Sequence, residues 1–330
     1  MLSIIPEPRR AAVMRALDAV FGRSAPDAIE ALSGGLSAAG AYRIVVDSRA
    51  FLLRLDGPSD ALRDPARWHA CMRTAAEVGV APTVAYANAG EGVVIADFIA
   101  VQPPSTCAED RRRRLIAMAA SLRVLHATEP FPPLVDYFDG VQALLELFQE
   151  RRLFAPFATA ELIDRFGALA RAYRRDPADL VSSHNDLNPG NIIYDGDRAW
   201  FVDWEAAFRA DRFVDLASLA NWFCKDEAEE TDLLSAYFGQ APTARQRSRL
   251  TLMQAVNRVF LGVMFANLAG AEQPGLSDLP LEGPNLAESI GPGGPALGTP
   301  ADRLAFGSAQ LRQAIDDFGS ARFAAAMAAA

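Results

Sequence analysis

The chain opens on an amphipathic pattern: across residues 7–21, Ala12, Val13, Ala16, Leu17 and Val20 recur at helical spacing and share one face. After Asp27 that period is lost, and Ser33-Gly34-Gly35-Leu36-Ser37-Ala38-Ala39-Gly40 reads as a small-residue loop. Two β-rich runs follow, Tyr42–Val46 and Phe51–Leu55, joined by Asp47-Ser48-Arg49, so a glycine-rich loop feeds a predicted hairpin. A helix is predicted over 64–78, then strands over 83–86 and 93–98, split by the turn Asn88-Ala89-Gly90-Glu91-Gly92. The first hundred residues thus predict a leading helix within 1–24 and a small sheet with one main helix.

Val101-Gln102-Pro103-Pro104-Ser105 is the expected connector, 101–105, to a second region, 106–330. There the apolar spacing is mainly helical, at 109–127, 140–153, 159–175, 212–224, 227–238, 243–269 and 301–327, with one β-like interruption at 181–203. Residues 270–300 are rich in Gly and Pro and show no period, so a long loop or lid is expected. The pattern predicts an α+β chain of two lobes, a small antiparallel N-terminal lobe and a larger helical one. A length of 330 residues agrees, because a single core seldom grows that large.

Composition narrows the function. Apolar residues make up 51% and charged residues 22%, enough to bury an interior. A net charge of −9 argues against nucleic acid as the main partner, since phosphate binding needs a basic face. The run Arg111-Arg112-Arg113-Arg114 is the local exception and reads as the solvated opening of a helix. Cys71, Cys107 and Cys224 are odd in number and form no C-x-x-C pair, which suits a reducing, cytoplasmic location. The first ten residues lack a signal-peptide core, and Val259–Ala271 falls short of the ~20 apolar residues that span a bilayer, so no membrane is expected. Lys225 is the only lysine, so any role that usually falls to a buried lysine passes to arginine.

The β-like interruption carries the chemistry. In Ser183-His184-Asn185-Asp186-Leu187-Asn188-Pro189-Gly190-Asn191, the Asn-Pro-Gly turn puts Asp186 and Asn191 on one loop. The runs at 192–194 and 199–202 flank Asp195-Gly196, a hairpin signal that carries Asp203 back toward Asn191. A five-residue loop sets those two opposite each other, and shorter loops shift the pairing by one to three residues. Phosphoryl transfer needs oxygen ligands for Mg²⁺ and one carboxylate to orient the attacking hydroxyl. Asn191 and Asp203 suit the metal; Asp186 suits the hydroxyl.

His184, Asp186 and Asn191 match H-x-D-x-x-x-x-N, and Val202-Asp203-Trp204-Glu205 follows. On these residues the chain resembles the choline/ethanolamine kinase and aminoglycoside phosphotransferase superfamily, which has a protein-kinase-like fold. The three-residue motif alone would arise by chance in about one chain in a hundred, but the resemblance runs from roughly residue 25 to 265. Phe213-Val214-Asp215-Leu216-Ala217 and Asn221-Trp222-Phe223-Cys224 are most similar to the choline kinase branch.

The resemblance implies ATP and Mg²⁺ as cofactors and a small molecule with a hydroxyl as acceptor. It implies that Gly34, Gly35 and Ser37 face phosphate, that Arg54 contacts it, and that backbone groups of Asp97, Phe98 and Ile99 read the adenine edge. His184 then supports the loop from beneath. Asp215 caps the helix expected near Leu216, or holds the catalytic loop, or both, while Glu205 is either near the metal or on the surface. The implied activity is phosphorylation of a small amino alcohol. The other readings are an aminoglycoside or other metabolite kinase, and a nucleotide-binding pseudokinase that acts as an interaction module.

Two departures stand out. Between Asp64 and Glu77 the predicted helix has no acidic residue, whereas the family pairs its basic strand residue with a glutamate there. Phe260-Leu261-Gly262-Val263-Met264 stands where choline kinases have a pattern resembling F-W-G-L-W. Loss of two rings weakens cation–π capture of a quaternary ammonium unless Trp204, Trp222, Phe223, Phe260 or Phe265 compensates. Glu205, Asp211 and Asp226 favour a cationic acceptor over an anionic one.

Overall fold

The computed structural model describes residues 2–32, 40–103, 107–291, 294–295 and 297–329. These divide into two compact units, one of residues 1–134, 181–209 and 228–239, the other of residues 135–180, 210–227 and 240–330.

In the first unit, helix α1 (Glu7–Phe21) ends at Gly22, whose φ of 66° places it in the left-handed region that glycine tolerates. Its buried residues are Ala12, Val13, Ala16 and Leu17, the predicted stripe apart from Val20, which is only partly buried. That stripe packs on an antiparallel sheet of order β1-β2-β3-β5-β4. The strands are β1 (Ala28–Ala31), β2 (Gly40–Val46), β3 (Arg49–Leu55), β4 (Val84–Asn88) and β5 (Val93–Asp97). Strand β1 was not expected, because its four residues are mostly exposed and too short to show a period. The β2–β3 turn has positive φ at Asp47 and Ser48, the backbone of a tight two-residue hairpin.

Along β3, Phe51, Leu53 and Leu55 are buried in the α1 core, so the period of two sends Arg54 to the other face. Helix α2 (Pro65–Glu77) begins where Asp64 accepts a hydrogen bond from the Ala66 amide at 2.9 Å and Pro65 occupies the first turn. It buries Arg67, Trp68, His69, Cys71, Met72 and Ala75. Helix α3 (Ala108–His126) carries the arginine run. Arg111 pairs with Glu229, Arg112 with Asp232 at 2.7 Å, and Arg114 with Asp110 at 2.8 Å, so the run is consumed by ion pairs.

The second unit is helical, with α4 (Tyr137–Arg151), α5 (Pro156–Ala172) and α6 (Arg212–Phe223). Helix α7 (Glu227–Phe238) belongs almost wholly to the first unit. Helix α8 (Ala244–Glu272) is long and apolar enough to cross a membrane, and 78% of its most apolar stretch is buried inside the protein. The 270–300 segment holds a short helix α9 (Leu286–Ser289), which its Gly/Pro composition did not announce. The expected 301–327 helix divides into α10 (Pro300–Gly319) and α11 (Ala321–Ala328) at Ser320, whose hydroxyl caps α11 by accepting from the Phe323 amide.

Helices α8 and α10 meet at two glycines. A Cβ at Gly307 would lie 2.9 Å from the Gly262 carbonyl oxygen and 3.1 Å from the Ala266 nitrogen, so the backbones touch where no side chain fits.

Candidate functional site

Strand β6 (Leu180–Ser183) leads into the loop of the expected motif, and strands β7 (Ile192–Tyr194) and β8 (Ala199–Phe201) form the expected hairpin. Ile192 pairs with Phe201 and Tyr194 with Ala199, which leaves a four-residue loop. The register therefore shifts by one from the five-residue case. Val202, not Asp203, stands beside Asn191 and donates its amide to the Asn191 carbonyl at 3.0 Å.

The motif loop is built around Asp186. Asn191 lies in the short turn Pro189–Asn191, and its side-chain amide donates to Asp186 Oδ2 at 2.8 Å and to the Asp186 carbonyl at 2.9 Å. Asn188 donates to Asp186 Oδ1 at 3.1 Å, and its own Oδ1 accepts from the Gly190 amide at 2.8 Å. Both carboxylate oxygens are thus held by amides, which fixes the plane of the carboxylate. Asn188 was read from sequence only as a turn residue; its spacing of two from Asp186 was the available signal.

Asn185 was also missed. It adopts the left-handed conformation with φ of 64°, and its side chain donates to the carbonyls of Ala206 at 3.0 Å and Phe208 at 3.2 Å. It ties the motif loop to the chain just beyond Asp203. Such a conformation in a non-glycine residue is held in place by its surroundings. Asp203 is a second instance, with φ of 65°. His184 is fully buried against Trp204, ring centroids 4.6 Å apart, and its Nε2 bonds the Val202 carbonyl at 3.0 Å. It supports the backbone immediately before Asp203.

Arg54 reaches this end of the hairpin from β3. Its Nη1 donates to Asp203 Oδ1 at 2.9 Å and its Nη2 to Glu205. The carboxylates that meet Arg54 are therefore these two, not Asp64, which caps α2, nor Glu77. Burial works against the charged guanidinium, but the two carboxylates outweigh it and raise its pKa.

The remaining expected residues fall as follows. Gly34, Gly35 and Ser37 lie outside the described residues. The amides of Asp97 and Phe98 are engaged by the carbonyls of Thr83 at 2.9 Å and Ala50 at 3.4 Å. In the second unit, Asp215 does not cap α6: the helix begins earlier, at Arg212, and its cap is Asp211, which accepts from the Phe213 amide at 2.9 Å. Asp215 sits fully buried within the first turn. Asp211 is also bonded by Arg249 at 2.6 Å and by the Tyr173 hydroxyl at 2.9 Å, so its charge is consumed internally rather than projected toward an acceptor.

No cluster of three or more His, Cys, Asp or Glu suited to a metal occurs among the described residues. The donors that fit a hard cation are the amide oxygen of Asn191 and the carboxylate of Asp203. Two oxygen ligands suit Mg²⁺, which keeps several of its waters and completes its shell with phosphate.

The family model described as the phosphotransferase enzyme family matches residues 28–250. No curated protein matches the chain by sequence. Among solved structures, a choline/ethanolamine kinase family protein from Mesorhizobium loti is similar over 97% of this chain and 98% of its own, with a TM-score of 0.70 at 20% identity. The choline kinase LicA from Streptococcus pneumoniae is similar over 95% of this chain and 99% of its own, with a TM-score of 0.67 at 14% identity. A spectinomycin phosphotransferase, solved with ADP and spectinomycin, is similar over 79% of this chain and 87% of its own, with a TM-score of 0.57 at 14% identity. The likenesses establish a shared fold, with a five-stranded antiparallel sheet near the N-terminus and a mostly helical remainder. With the family model spanning well over half of its length around the Asp186 loop, the chain belongs to the phosphotransferase enzyme family.

Proposed function

We propose that the protein transfers the γ-phosphate of ATP, with Mg²⁺, to the hydroxyl of a small amino alcohol. The observation that carries this reading is the doubly held carboxylate of Asp186, on the loop that also carries Asn191 and leads into the hairpin ending at Asp203. Asp186 orients the acceptor hydroxyl and takes its proton as the oxygen attacks the γ-phosphorus and the bond to the β-phosphate oxygen breaks, with ADP as leaving group. Asn188 and Asn191 fix the carboxylate so that little reorganisation is needed at that moment. Asn191 and Asp203 would hold Mg²⁺, which when bound would supply positive charge against the phosphate oxygens. Arg54 adds a fixed positive charge, and an adenine-reading amide falls to Ile99, since those of Asp97 and Phe98 are spent within the sheet.

The acceptor class rests on the second unit. Trp222, Phe260 and Met264 are partly buried and pack against Leu261, Phe265 and Phe306. Trp222 stacks on Phe306 with centroids 6.0 Å apart, and Phe260 lies 5.7 Å from Tyr137. Partly exposed rings suit a cationic head group, which two of the structural neighbours are named for handling. Leu261 is buried and adds no ring, so choline itself is expected to bind weakly. Incubation with γ-labelled ATP and a panel of amino alcohols, sugars, sugar phosphates and aminoglycosides tests the reading. Label on an amino alcohol supports it; label only on an anionic sugar phosphate, or a choline KM in the low micromolar range, contradicts the acceptor argument.

A further inference from the structure

Arg54 is held from three sides. Its two Nη atoms reach Asp203 and Glu205, and its guanidinium lies over the Trp68 ring, 5.1 Å from the centroid. Its Nε is buried and meets no acceptor among the described residues, so the inner edge of the group is seated by packing rather than by a hydrogen bond. Trp68 is itself 2% exposed, which makes the ring a fixed floor. Helix α2 supplies that ring, and the adjacent Arg67 supplies something else. Its Nη2 donates to the Glu205 carbonyl at 3.1 Å and its Nη1 to the Ala207 carbonyl. Arg67 therefore tethers the backbone that presents the Glu205 carboxylate, and Glu205 and Trp68 line one small cleft with Asp56 and Arg63.

We propose that Glu205 and Trp68 are the positioning residues of Arg54, together taking the place of a helix glutamate that α2 lacks. The acidic end of the fork comes from the chain after Asp203, and the helix contributes a cation–π floor and a tether. This rests on the proposed function, in which Arg54 meets the ATP phosphates. It makes a prediction opposite in sign to simple electrostatics. Removing a carboxylate from the vicinity of phosphate should tighten ATP binding if charge alone matters; if Glu205 aims Arg54, the same removal weakens it.

The test is equilibrium binding of ATP with Mg²⁺, alongside ATP KM and kcat, for Arg54→Ala, Glu205→Gln, Trp68→Leu and Trp68→Phe. Arg54→Ala is expected to weaken ATP about 10- to 100-fold, the range for losing a charge-assisted contact. Glu205→Gln and Trp68→Leu are each expected to weaken it about 3- to 10-fold, while Trp68→Phe, which keeps a ring, restores most of the loss. Combined with Arg54→Ala, neither should weaken binding further, because the group they position is gone. If Trp68→Leu does not fold, Glu205→Gln alone and in the Arg54→Ala background decides. Tighter or unchanged ATP binding in Glu205→Gln, or full additivity with Arg54→Ala, overturns the assignment while leaving the proposed activity intact. Absence of ATP binding by the unsubstituted protein, or no effect of Arg54→Ala, overturns the proposed function and this assignment with it.

Discussion

The side-chain amide of Asn191 donates to both the carboxylate and the carbonyl of Asp186, at 2.8 Å and 2.9 Å, so its nitrogen aims Asp186, while the proposed function assigns its oxygen to a metal. The two roles are coupled through a single planar group: turning the amide to suit one spoils the other.

Asp186→Asn keeps the size of the side chain but removes the carboxylate and one of its two acceptor oxygens. ATP·Mg²⁺ affinity is expected to stay nearly unchanged while turnover falls by at least ~10²-fold, the usual scale for a positioned base. Isothermal titration paired with steady-state kinetics separates the two. Lost nucleotide affinity would move Asp186 to the metal site, and full activity would refute the mechanism.

Asp203→Ala acts on a different step. It deletes the proposed metal ligand and one of the two carboxylate partners of Arg54. Nucleotide binding is expected to lose its dependence on Mg²⁺, which a titration of ATP affinity against metal concentration reads directly. A metal dependence like that of the unsubstituted protein would place the ion elsewhere.

Gly307→Ala tests the crossing of α8 and α10. Its Cβ would lie 2.9 Å from a backbone oxygen, which cannot move aside as a side chain can. A loss of about 1–3 kcal/mol is expected, seen as a melting temperature lower by several degrees. Gly319→Ala is the control, because nothing lies within 4 Å of its Cβ and a Gly→Ala change there is expected to be neutral or mildly stabilising.

Cys71 gives a prediction in pH. Burial pushes its thiol from an ordinary 9.0 up to about 12. The folded chain then keeps the proton where the unfolded chain loses it, so stability falls as pH rises from 9 toward 12. Cys71→Ala should flatten that alkaline limb in chemical denaturation. Below it, iodoacetamide should label exposed Cys107 in the native protein and reach Cys71 only after unfolding, as peptide mass spectrometry would report.

Elements with a strong period were legible in the sequence: the α1 stripe, the β2–β3 hairpin and the Asp186–Asp203 hairpin each rest on local chemistry that needs no distant partner. What escaped depended on contacts far along the chain. Strand β1 is mostly exposed and is defined by its pairing with β2. The partners of Arg54 lie about 150 positions away, at Asp203 and Glu205, so no local pattern around β3 or α2 announces them. The cap of α6 falls to Asp211 rather than to Asp215, because a cap is set by where the first turn begins and the sequence offers two aspartates four apart. Two of the three acidic residues expected to attract a cation are engaged, Glu205 by Arg54 and Asp211 by Arg249.

The guanidinium at position 54 also changes what chemistry can reach this site. With Lys225 the only lysine in the chain, there is no side-chain amine on β3 to acylate. Acetyl donors and lysine-directed covalent probes find no target there. Because an arginine keeps its proton across any pH at which a protein survives, the positive charge beside Asp203 is constant rather than adjustable.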